Sequence, residues 1–163
     1  MERQYTRVDT VRQYVDNMLN SIADPDMRRA GFVHLYGVGQ AGALIALHRG
    51  YGREYAELAQ TAGMLHDYAA YRDGIRENHA GRSSVEAERI LRDAGCFTAE
   101  EIELVCGAIR NHSHKEQRDT AFDEILKDAD EMQHWLHNPM EDYYFRKERT
   151  QRIVQEFGLL QLV

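Results

Sequence analysis

Apolar residues recur along this chain at three- and four-residue intervals and seldom at alternate positions, which is the spacing of helices with one buried face. The first stripe, Val8, Val11, Val15, Met18, Leu19 and Ile22, predicts a helix over residues 4–22. Asp24-Pro25 reads as the next start, with Asp24 at the N-cap and Pro25 at the first helical position. That second helix runs through His34 toward His48, and Gly50-Tyr51-Gly52 ends it. A third is predicted over 54–68, delivering His66 and Asp67 in its last turn, before a polar segment, 71–78, breaks the period. A fourth covers 79–93 and is closed by Gly95. Thr98 and Glu101 make a capping box for the fifth, which carries Ile102, Val105, Ile109 and His112 on neighbouring rows. A charged loop, 113–120, leads to a sixth helix over 122–137, and a seventh over 141–157 stops near Gly158.

Prolines are confined to Pro25 and Pro139, and β-branched residues are scattered instead of alternating. The expected fold class is therefore all-α, a single bundle of about six or seven helices. With 163 residues the chain fits one domain, residues 1–163, whose core spans about 30–138 with flanking helices at both ends.

Charge narrows the partners. Twenty Lys and Arg against 27 Asp and Glu give a net charge of −7, which argues against a general nucleic-acid surface. Cys96 and Cys106 show no paired spacing, as expected of a protein with reduced thiols. The opening residues, Met1-Glu2-Arg3-Gln4-Tyr5, lack the apolar stretch of a signal peptide, and no run is expected to be long enough to cross a bilayer. The expectation is a cytoplasmic protein without a membrane partner; a homodimer is left open.

Candidate chemistry lies in an ordered scatter of ligand-type residues: His34, the pair His66-Asp67, His79, His112 and His114, and Asp130 in Lys127-Asp128-Ala129-Asp130. Each falls in or at the end of a predicted helix or in the loop after it. A transition-metal ion needs imidazole nitrogens and carboxylate oxygens converging from several elements. His34 stands among Val33, Leu35 and Val38, with Gly37, Gly39 and Gly42 thinning its helix so that a neighbouring backbone can come close. A polar ring buried there needs a partner, because leaving it unpaired costs about 1 to 3 kcal/mol. Asp67 at a helix C-terminus would be poorly placed for an anion, which also favours a functional reading. His48, His134 and His137 look ordinary and receive no ligand role.

The order His, His-Asp, His, Asp, with the pair in Met64-Leu65-His66-Asp67 and the last carboxylate in an Ala-Asp step, resembles the HD-domain superfamily of metal-dependent phosphohydrolases. The resemblance runs from about Phe32 to about Leu136. It implies that His34, His66, Asp67 and Asp130 are metal ligands, with Asp67 also the catalytic carboxylate that anchors the attacking water or bridges two metals. For the last ligand, Asp128 is the alternative, since helical phase does not separate it from Asp130. His79 and His112 match the positions where two-metal members carry extra ligands. The implied cofactor is one or two divalent transition-metal ions: Mn, Fe, Zn, Ni or Co.

The implied activity is hydrolysis of a small phosphorylated substrate, plausibly a nucleotide, by metal-activated water. Lys127, Arg82, Arg110 and Lys115 are close in sequence to those ligands and can neutralise phosphate charge, while His114 is a candidate substrate group. Phosphate-binding loop, zinc-protease, nucleophile-elbow and dinucleotide fingerprints are all missing from the sequence. A di-iron oxygenase on the same fold and a non-catalytic metal-binding module stand as alternatives.

Overall fold

Threonine and aspartate set the helix starts. Thr6, Thr98 and Thr120 each accept the backbone N–H three residues on, while Asp9, Glu101 and Asp123 reach back to the N-cap backbone, so three helices open on reciprocal capping boxes. Asp24 caps a fourth by accepting from the N–H groups of Asp26 and Met27, just ahead of Pro25. The structure, a computed structural model, describes residues 5–159. Its helices in chain order are α1 (Arg7–Ser21), α2 (Pro25–His48), α3 (Arg53–Leu65), α4 (Tyr68–Asp73), α5 (His79–Ala94), α6 (Ala99–Asn111), α7 (Ala121–His137), α8 (Asp142–Phe145) and α9 (Glu148–Glu156). No strand occurs among the described residues, and the fold is all-α as expected. The predicted helix start at residue 4 lies outside the described residues.

The predicted third helix stops early, the predicted seventh is divided, and α4 (Tyr68–Asp73) extends into the 71–78 segment that was expected to break the period. The third ends at Leu65, because Asp67 leaves helical geometry (φ −112°, ψ 15°) and turns the chain into α4. Asp67 therefore precedes a helix instead of ending one, and the dipole of α4 favours its negative charge, the reverse of the sequence expectation. The predicted seventh helix becomes α8 and α9, because Lys147 takes extended angles while its ammonium reaches Glu131 and lies over the rings of Tyr143 and Tyr144.

The close pair α2 and α3 organises the rest. A Cβ on Gly63 would stand 2.5 Å from the backbone N of Gly39, and one on Gly42 would stand 2.9 Å from the carbonyl oxygen of Ala59. Only glycine permits that approach, and it brings the middle of α2 against the end of α3. Around this contact runs one apolar core that includes Val11, Leu19, Leu35, Ile45, Leu65, Ile90, Ile109, Phe122 and Leu126.

The expectation that no run is long enough to span a bilayer does not hold. By length and composition α2 qualifies, and half of its apolar stretch is buried inside this fold. Packing against α3 and α7 accounts for that composition.

Candidate metal centre

His34 enters the centre from α2, His66 from the end of α3, Asp67 from the step into α4, His79 from the start of α5, His112 from the end of α6 and Asp130 from α7. The structure brings all six together. Nε2 of His34 lies 3.2 Å from Nε2 of His66, 3.5 Å from Oδ1 of Asp130 and 3.8 Å from Oδ2 of Asp67. Nε2 of His66 lies 3.7 Å from Oδ1 of Asp130 and 3.8 Å from Oδ2 of Asp67. The other oxygen of Asp67, Oδ1, faces a second pair, 3.4 Å from Nε2 of His79 and 3.4 Å from Nε2 of His112. Asp67 thus stands between two sets of imidazoles, one on each carboxylate oxygen.

Every one of these histidines is oriented by its other nitrogen. Nδ1 of His66 lies 2.7 Å from the carbonyl of Gly63, that of His112 2.6 Å from Ile109, that of His79 2.7 Å from Arg76, and that of His34 2.6 Å from Oε1 of Gln133. A carbonyl or amide oxygen can only accept, so each ring donates from Nδ1, and in its neutral form presents the Nε2 lone pair to the centre.

Burial sets the charge states. Loss of water pushes His66 down to about 3 and lowers His34 as well, so both rings are neutral near pH 7. Burial alone would raise the two carboxyls. At Asp67 the facing side chains of His66 and His112 outweigh it, and at Asp130 the Lys115 ammonium does, 2.5 Å from Oδ2. Both carboxyls are therefore ionised.

Lys115 and Arg76 donate to the Oδ2 atoms of Asp130 and Asp67, and the atoms that face one another across the pocket are acceptors. Four imidazole lone pairs and two carboxylate oxygens converge, and Oδ1 of Asp67 and Oδ1 of Asp130 are buried with no hydrogen-bond partner. Buried acceptors left so close repel one another and are costly. A divalent cation resolves that cost, and neutral imidazole with carboxylate is the donor set that Zn, Mn, Fe, Ni or Co accepts. The residues fit such an ion in at least two groupings, His34 with His66 and Asp67, and Asp67 with His79 and His112.

Against the sequence expectation, helical phase does separate Asp130 from Asp128, because two positions along a helix differ by about 200°. Asp128 points the other way, into a nest of Arg49, Arg149 and Arg152, and takes no part in the cluster.

The remaining candidates are placed elsewhere. Lys127 is fully buried, and its ammonium holds the loop before α7 through the carbonyl of Gln117 and the carboxylates of Asp119 and Glu124. Arg82 clamps the 74–78 turn through Asp73, Ile75 and Glu77. Arg110 and His114 are exposed, and among the described residues neither has a hydrogen bond or ion pair to the cluster. Lys115 does reach it.

Three groups at the centre escaped the sequence reading. Gln133 orients His34; His134 places Nε2 3.3 Å from Oδ1 of Asp130 and stacks flat on Tyr144; Arg76 donates to Oδ2 of Asp67 at 2.9 Å. For Gln133 and His134 a signal existed, since they follow Asp130 by three and four positions and so share its helix face. Arg76 had none, because its place depends on the turn after α4.

No curated protein and no solved structure matches the chain. A family model described as HD domain matches residues 31–135, which hold all six converging residues, so the chain belongs to the HD-domain family of the metal-dependent phosphohydrolase superfamily.

Proposed function

We propose that this protein hydrolyses a small phosphorylated molecule with the help of two divalent metal ions. One observation carries the reading: Asp67 offers Oδ2 to the His34 and His66 side and Oδ1 to His79 and His112. A carboxylate so divided is suited to bridge two ions. His34, His66, Asp67 and Asp130 would hold one, and His79, His112 and Asp67 the other. The chemistry such ions supply is a bound water brought toward neutral pKa and a polarised phosphoryl oxygen.

The chain's own groups prepare that chemistry. Outward hydrogen bonds lock the imidazole tautomers before any ion arrives, so little reorganisation is needed on binding. Lys115 offsets part of the negative charge of Asp130 and keeps its carboxylate turned so that Oδ1 faces His34 and His66.

Elemental analysis, followed by a panel of nucleoside phosphates, sugar phosphates and p-nitrophenyl phosphate, tests the proposal. Asp67→Ala should lose both ions and turnover while keeping its helical circular dichroism, and replacing His79 and His112 together should remove one ion only. Iron colour with oxygen uptake would favour the oxygenase reading. Metal uptake with no turnover on the panel would favour a binding module.

A further inference from the structure

A cleft of about 490 Å³ opens directly onto the metal centre between the first half of α2, α4 with its following turn, and the end of α7. His34 reaches its floor, and Tyr71, Val33 and His134 stand along its walls. Ala30, Val33 and Tyr71 give the cleft an apolar and aromatic stretch beside polar groups that include Asp26, Arg29 and Gln133. Val33 is 46% exposed there, and the rings of Tyr71 and His134 lie 6.2 and 4.7 Å from that of His34. An apolar side chain left open on a cleft wall gains nothing from water and favours an apolar ligand surface.

At the mouth stands Arg76. Its guanidinium donates one N–H from Nη1 to Oδ2 of Asp67, lies over the ring of Tyr71 at 5.6 Å, and keeps 69% of the side chain exposed. A guanidinium carries five N–H groups in a planar fork, so a single contact leaves an edge for an anion. The turn that bears it is built. Gly74 and Asn78 both adopt left-handed angles (φ 67° and 47°), Arg82 donates to the carbonyls of Ile75 and Glu77, and the Arg76 carbonyl itself accepts from His79. One residue therefore orients a proposed metal ligand with its backbone and overlooks the bridging carboxylate with its side chain.

Resting on the function proposed above, we infer that Arg76 is the substrate-binding residue for the phosphoryl group, and that the cleft takes phosphomonoesters whose organic part is apolar or aromatic. The phosphoryl end meets the guanidinium beside Asp67. The organic part lies against Val33, Tyr71 and His134.

Calorimetric titration of the manganese-loaded protein with phenylphosphonate and methylphosphonate tests this without turnover. Phenylphosphonate should bind about 10-fold more tightly, and Arg76→Ala should weaken both by about 10- to 100-fold, the range for hydrogen bonds to a charged group. Arg76→Lys should recover part of the loss, because it keeps the charge and loses the fork. Manganese stoichiometry should be the same in all three proteins. Unaltered phosphonate affinity in Arg76→Ala overturns the assignment, and so does a loss of manganese in that variant, which would make Arg76 a support for Asp67. Equal affinity for the two phosphonates overturns the apolar cleft. A wild-type protein that takes up no manganese overturns the metal-dependent reading itself, and so is distinguishable from a failure of Arg76 alone.

Discussion

Asp128 and Asp130 stand two residues apart on α7, 1% and 6% exposed, and one is scaffold while the other belongs to the candidate metal centre. Asp128 accepts from Arg49 at 2.6 Å through Oδ2 and from Arg149 and Arg152 at 2.5 and 3.0 Å through Oδ1. Arg49 continues to Glu156 on α9, and Arg149 to Glu124 and to the Lys115 carbonyl. Asp128 thereby ties α9 and the 113–120 loop to the bundle. Asp130 has one oxygen on Lys115 and leaves the other among imidazole lone pairs. Burial and charge are the same in kind at both residues. The difference lies in valence left open, and an unpaired buried acceptor beside neutral imidazoles marks a site where a full ring of arginines does not.

The widest gap between the two should appear on substitution. Asp130→Ala should lower metal affinity by more than about 100-fold, since even a group that only supports a ligand costs 10- to 100-fold. Its stability in the presence of a chelator should fall less than that of Asp128→Ala, because only the Lys115 ammonium loses its anion. Asp128→Ala should do the opposite: metal content stays, and urea unfolding shows a loss of about 3 kcal/mol, because three guanidinium groups lose their shared anion. If both variants lose metal equally, the division drawn between the two faces of α7 is wrong.

Acid should sharpen the contrast from the other side. In the unfolded chain His66 takes up a proton below about 6.5, but in the fold only near about 3. Between those values the unfolded state holds more protons, so stability must rise with pH across the window and fall on acidification. The depressed carboxyls of Asp67 and Asp130 act in the same direction. Denaturant melts of the chelated protein should show this slope, and a flatter slope is expected in His66→Gln. A wild-type stability that does not change through the window would contradict a neutral buried His66.

The smallest effect is expected at Gln133, which holds His34 without touching the proposed ions. Gln133→Leu should weaken metal binding about 10-fold and leave the melting point nearly unaltered. Unaltered metal affinity would show that His34 is oriented by packing alone.

The particular residues explain what could be read before folding. The convergence of His34, His66, Asp67, His79, His112 and Asp130 was legible because few residue types suit a metal site and their order follows a family pattern. Caps at Asp24 and Thr98 were legible because they are local. Lys127 and Arg82 were misplaced, since nearness in sequence to a ligand says nothing about the face a long side chain takes. The break at Asp67 was missed because nothing in Met64-Leu65-His66-Asp67-Tyr68 disfavours helix; the turn is set by where α4 packs.

By itself the order of residues determined an all-helical chain, its local caps and the inventory of donors, because periodicity, hydrogen-bonding habit and metal preference act over a few residues or on single side chains. Only the tertiary structure decided that Asp67 faces two sets of imidazoles, that Asp130 and not Asp128 turns inward, and that Arg76 overlooks the cleft. Those choices depend on how six segments meet, and the glycine contact between α2 and α3 that brings them together has no meaning until both helices exist.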